Sequence, residues 1–171
     1  DLLKQIHRSA AIYREFTEKA EVLDGPLDRV GLFAYRVKTL ESEVIKPLIL
    51  CLLDPEAPPI AADQIQKALS AIESWMVRRM LVRATTKNYN QIISEIIAQL
   101  DLERRLAAGD FIEQFLRSQQ SDSRYWPDDN EILEELRILP SYRRLGRGRL
   151  RMVLEAVEDH LRGWRGDKPG L

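Results

Sequence analysis

The chain has 171 residues, 44% hydrophobic and 31% charged, with 26 Lys and Arg set against 27 Asp and Glu. That length suits one domain that buries roughly two thirds of its unfolded surface without staples. A formal charge of −1 excludes a global pull toward nucleic acid or membrane, so any such pull must come from a local patch. No apolar run approaches the ~20 residues of a bilayer span, and the start has no signal-peptide pattern.

The single cysteine, Cys51, sits in the apolar run Leu48 to Leu53. It reads as a small buried hydrophobe of a reducing, cytoplasmic protein rather than as a nucleophile, which needs a basic and partly exposed setting.

The first segment sets Leu3, Ile6, Ala10, Tyr13, Phe16 and Ala20 three and four apart, one stripe of an amphipathic helix. Asp24-Gly25-Pro26 breaks it. A second helix carries Leu27, Val30, Phe33, Ala34 and Val37, and a third carries Val44, Ile45, Leu48, Ile49 and Leu52 with Pro47 in its first turn. Asp54 to Pro59 is a stiff connector. The fourth and longest helix carries Ile65, Leu69, Ile72, Met76 and Met80, flanked by Ala68 and Trp75, with Asp63 and Gln66 as a capping pair. Thr85 or Thr86 caps a fifth helix through Tyr89, Ile92, Ile93, Ile96, Ile97 and Leu100. A sixth surrounds Phe111, Ile112, Phe115 and Leu116.

After a polar turn from Ser118 to Arg124, Trp126-Pro127-Asp128 starts another helix. Asp128 is expected to cap it, Glu131 to reach back, and Ile132, Leu133 and Leu136 to face inward. Pro140 opens a further turn, and the last helix shows Leu150, Val153, Leu154, Val157 and Leu161. No segment alternates like a strand, and no period repeats. The expectation is therefore all-α, an irregular multi-helix bundle of about eight helices. It is read as a single domain over 1–171, with room for two lobes, 1–53 and 60–165, about the Pro-rich connector. The start at Asp1 without Met, and the composition of 166–171, read as cuts inside a longer polypeptide, with 166–171 a linker to a further C-terminal domain.

Metal-ligand spacing is missing: His7 and His160 are the only histidines and lie near opposite ends. His160 suits a helix C-terminus. Gly146-Arg147-Gly148 lacks the third glycine and the preceding strand of a phosphate loop and reads as a basic turn. The carboxylate pairs Asp128-Asp129, Glu134-Glu135 and Glu158-Asp159 read as caps or solvated faces. No catalytic, cofactor-binding or metal-binding residue is therefore assigned.

Basic clusters are what remains. Arg143, Arg144, Arg147, Arg149 and Arg151 crowd one segment behind Tyr142, with Arg162, Arg165 and Lys168 beyond, and Arg78, Arg79, Arg83 and Lys87 crowd the end of the fourth helix. Arginines on an exposed turn suit phosphate contacts. Pairing with Glu155 or Glu158 and with helix C-termini fits them as well. Thr85 to Asn90 also admits a helix-turn-helix reading, against which Tyr89 fits the core stripe.

Two ordered blocks carry a resemblance. Ile72-Glu73-Ser74-Trp75-Met76-Val77-Arg78-Arg79-Met80-Leu81 followed by Thr85-Thr86-Lys87-Asn88-Tyr89-Asn90 is the first. Trp126-Pro127-Asp128-Asp129 with Leu139-Pro140-Ser141-Tyr142-Arg143-Arg144-Leu145, closed by Leu150 to Glu155, is the second. From Ile72 to Glu155 the chain resembles the helical middle region of GmrSD-type modification-dependent restriction endonucleases. The resemblance implies an N-terminal nucleotide-using domain before this region and a C-terminal His-Me finger nuclease after it, each with a motif this chain lacks. It implies no catalytic residue and no cofactor here. The partners it implies are flanking domains of the same polypeptide; the arginine segment adds duplex DNA as a candidate partner, oligomerisation stays open, and the apolar runs are too short to suggest a membrane. A protein-interaction or dimerisation scaffold without a nucleic-acid role is the alternative reading.

Overall fold

A computed structural model describes residues 2–21 and 27–164, the Trp164 side chain excepted. The Asp24-Gly25-Pro26 break, Arg165, Lys168 and the 166–171 linker lie outside the described residues. Among those described, the chain is all-α with no strand: ten α-helices, eight of them of seven residues or more. They are α1 (Leu2–Lys19), α2 (Arg29–Thr39), α3 (Lys46–Leu52), α4 (Ala62–Leu81), α5 (Tyr89–Gln99), α6 (Leu102–Leu106), α7 (Ala108–Arg117), α8 (Asp129–Ile138), α9 (Ser141–Arg144) and α10 (Gly146–Trp164). A 3₁₀ turn, Glu43–Ile45, leads into α3, whose first turn accepts Pro47.

Helix α4 is the axis. Its stripe of Ala68, Leu69, Ile72, Trp75 and Met76 is buried, and Trp75 donates from Nε1 to the Arg124 carbonyl at 3.0 Å. On one flank α7 packs against α4, closely at Gly109. Gly109 makes this possible: a Cβ there would stand 2.6 Å from the Gln64 carbonyl oxygen and 2.6 Å from Lys67 Cβ. On another flank, Glu73 of α4 accepts from Arg29 at 2.9 Å and Arg36 at 2.5 Å, fastening α2. Helices α1, α3 and α5 complete one core whose residues come from both 1–53 and 60–165.

Buried Arg105 of α6 ties down the Pro-rich connector, donating to the carbonyls of Pro58 at 3.1 Å and Cys51 at 3.0 Å. Cys51 itself is half-buried. Beyond α4 a smaller cluster of Leu81, Leu139 and Leu145 joins α8 and α9 to the main body. Helix α10 reaches back across it: Met152 is buried, and Tyr35 of α2 donates to Glu155 at 2.8 Å.

Several expectations give way to this packing. Leu3, Ile6 and Tyr13 are exposed because α1 is an edge helix buried mainly at its Phe16 end. Leu133, Leu136, Leu154, Val157 and Leu161 are exposed because α8 and α10 each meet the body along one side only. Asp63 does not cap α4, which starts from Ala61 without a side-chain cap. Neither threonine caps α5: Asn88 holds that position, and the Thr85 hydroxyl accepts instead from the Lys87 amide at 3.2 Å. Asp128 does cap α8, accepting from the Glu131 amide at 2.8 Å. Glu131 does not reach back, because its carboxylate accepts from the Tyr125 hydroxyl at 2.6 Å.

Candidate nucleic-acid interface

The nine basic residues singled out by the sequence fall into three environments. Arg79 is fully buried. Its guanidinium donates to the carbonyls of Tyr125 at 2.8 Å, Thr85 at 2.7 Å and Asp122 at 3.3 Å, and lies among the rings of Trp75, Tyr89 and Tyr125. It offers nothing to an external phosphate and leaves the surface set. The physical reason is its heptad-like position: Arg79 shares the inward face of α4 with Trp75 and Ile72, three and four residues apart.

A second group is exposed or half-exposed but answered by neighbours. Arg78 donates to Ser74 at 3.2 Å, to the Pro127 carbonyl at 3.0 Å and to Asp129 at 2.5 Å, fastening the start of α8 to α4. Arg83 pairs with Glu135 at 3.4 Å. Arg149 donates to Glu41 at 3.1 Å and to the Leu40 carbonyl at 3.4 Å. Arg151 pairs with Glu155 at 2.5 Å, and that carboxylate holds its guanidinium above the ordinary value. The same carboxylate, after burial, raises the Tyr35 hydroxyl. Arg162, outside these nine, pairs with Glu158 at 2.8 Å.

The third group is Arg143, Arg144, Arg147 and Lys87, all exposed and without an ion pair among the described residues. Three of these four sit at one corner. Arg143 and Arg144 end α9, and Arg147 lies in the first turn of α10, which holds no acidic residue. Gly146 turns this corner with φ +71°. The N-terminal end of a 19-residue helix carries partial positive charge, so guanidiniums here add to the dipole instead of opposing it. Such a corner repels itself and attracts anions.

Within Thr85 to Asn90, Tyr89 and Asn88 are engaged by the body, whereas Thr85, Thr86, Lys87 and Asn90 are exposed. Tyr89 packs on Trp75 with ring centroids 4.4 Å apart, and Asn88 donates to Ser123 at 2.6 Å. Among the described residues no cluster of His, Cys, Asp or Glu is placed to hold a metal ion, and no helix is long and apolar enough to cross a membrane. His7 and His160 are both exposed.

The sequence does not show the backbone conformation of two residues, Glu41 and Arg83. Glu41 and Arg83 have φ of 56° and 58°, a conformation that glycine normally advertises. Comparison with known proteins supplies no analogue: no family model, curated protein or solved structure matches the chain.

Proposed function

We propose that this chain is a non-catalytic helical module that sets the spacing of flanking domains and contacts the phosphate backbone of duplex DNA. The connecting role is what its resemblance to GmrSD-type proteins implies, within a cytoplasmic restriction system directed at phage. One observation carries the DNA part: Arg143, Arg144 and Arg147 stand exposed and unpaired at the positive end of α10, while most other cations of the basic segments are answered. Guanidiniums held this way supply phosphate contacts that position a duplex without reading its sequence. Arg79 is excluded from this surface, and Arg78, Arg149 and Arg151 serve the fold first.

Labelled duplex DNA titrated with the chain at two salt concentrations tests the reading. Binding is expected to fall steeply with salt, and changing all three arginines to Ala should lower the log–log slope by about 0.9 per lost contact. The melting temperature should not move, because none of the three side chains has a partner to lose. Absence of binding at low salt, or an unchanged slope, overturns it.

A second reading, a surface that receives another protein, is favoured by the exposed apolar residues of α8 and α10. Leu133, Leu136, Leu154, Val157 and Leu161 are each at least 42% exposed, beside a groove of about 460 Å³ between α4, α8 and α10. Sedimentation at micromolar concentration separates the two readings: self-association supports this one, and a monomer that binds DNA supports the first.

A further inference from the structure

Three helix ends meet around a cleft of about 380 Å³: the end of α2, the α4–α5 turn and the α9–α10 corner. Its floor is apolar, formed by Met76, Met80, Tyr89 and Leu145. Its rim carries Arg83, Arg144, Arg149, Thr86 and Glu41. Arg149 is answered by Glu41 and Arg83 by Glu135 outside the cleft, which leaves Arg144 as the rim guanidinium without a carboxylate among the described residues, in a chain whose net charge is −1. Glu41 is already engaged by Arg149 at 3.1 Å, Arg144 has no ion pair, and the Thr86 hydroxyl makes no hydrogen bond among the described residues.

The backbone points to the same place. Helices α2 and α4 end in the same left-handed motif. The Glu41 and Ser42 amides donate to the Lys38 and Val37 carbonyls, and the Arg83 and Ala84 amides to those of Met80 and Arg79. Glycine fits the left-handed position without strain, yet Glu41 and Arg83 occupy it, and both line this cleft. Both strained positions therefore border the same cleft.

We propose that the cleft binds a phosphate monoester with an apolar or aromatic body. The phosphate meets the unpaired Arg144, with Arg83 and Thr86 beside it, while the body rests on Met76, Met80 and Tyr89, where thioethers adapt to varied shapes. This site does not depend on DNA binding, which uses Arg143 and Arg147 outside the cleft and shares only Arg144.

The three methionines make the test internal. Met76 and Met80 line this cleft, whereas Met152 lines the separate groove between α4, α8 and α10. The whole chain, labelled at methionine methyls, is titrated with phenyl phosphate, inorganic phosphate and benzyl alcohol, followed by NMR. Phenyl phosphate is expected to shift the Met76 and Met80 signals saturably and to leave Met152 in place. Each of the other probes should bind at least about ten-fold more weakly, since each lacks half of the recognition. Arg144→Ala should weaken phenyl phosphate about ten-fold with the Met152 signal unmoved, and Arg143→Ala should not weaken it. No saturation in the millimolar range, equal loss with Arg143→Ala, or inorganic phosphate binding as tightly as phenyl phosphate overturns the proposal. Loss of duplex binding alone, with phenyl phosphate still bound, overturns only the DNA reading.

Discussion

The guanidinium of Arg79 lies 5.3 Å from the ring centroid of Tyr125 and donates to the carbonyl oxygen of that same residue at 2.8 Å. One buried cation thereby fastens the segment before α8 to the middle of the molecule, and through Thr85 it fastens the α4–α5 turn as well. Arg79→Ala removes the donor to three carbonyls and opens a hole among three rings, so it is expected to cost about 3–5 kcal/mol. Arg79→Lys keeps the charge but not the planar fork and should fall between. Urea unfolding of the three chains measures this; a cost below about 1 kcal/mol for Arg79→Ala would mean the cage is not a structural anchor.

Tyr125 gives the same region a signature in pH. Burial, and then donation of its hydroxyl to the Glu131 carboxylate at 2.6 Å, push its pKa up to about 12 from an ordinary value of 10.0. Below the ordinary value the phenol is protonated in both folded and unfolded chains, and its contribution to stability is complete. As pH rises from 10 through about 12, the unfolded chain ionises first and that contribution is lost. Unfolding midpoints measured across this range should fall more steeply in the native sequence than in Tyr125→Phe. Equal slopes would place the alkaline loss on Tyr35 and Tyr89, both also raised by burial.

How far the sequence could be read follows from what each residue depends on. Asp128 was legible because a cap needs only the three residues that follow it. Trp75 was legible because a large apolar ring beside an apolar stripe shares its burial. Arg79 was not: its type belongs to surfaces, and its carbonyl partners lie up to 46 residues away. Leu154 and Val157 continue a good helical stripe, but nothing local says that α10 meets the body on one side only. At the candidate site, the charge of Arg143, Arg144 and Arg147 was plain from their crowding. Their freedom from ion pairs, and the part of Glu41, come from contacts made across the fold.

At Gly109 the backbone of α7 lies close against α4. In a solvated helix interior Gly→Ala stabilises by about 1 kcal/mol. Here the added methyl would meet the Gln64 backbone oxygen at 2.6 Å, which no side-chain rotation relieves. Gly109→Ala is therefore expected to destabilise by about 1–3 kcal/mol. Gly163→Ala is the control, since a Cβ at that α10 position meets nothing within 4 Å. Thermal melts of both variants check the pair. Stabilisation by Gly109→Ala would show that the two helices can part without cost.

Arg83 sets stability against binding. Its backbone, at φ 58°, carries a left-handed cost of roughly 1–2 kcal/mol that glycine avoids. Its one ion pair, with Glu135 at 3.4 Å, is half in solvent and offsets little of this. Glycine also costs more chain entropy on folding, so Arg83→Gly should leave stability unchanged or raise it by up to about 1 kcal/mol. Arg83→Ala keeps the strain, loses the pair and should be the less stable of the two. If both variants lose phenyl phosphate binding while only Arg83→Ala loses stability, the guanidinium is retained at this strained position for what it holds and not for the fold. If Arg83→Gly is the less stable variant, the ion pair outweighs the strain, and the backbone conformation ceases to be an argument for a site.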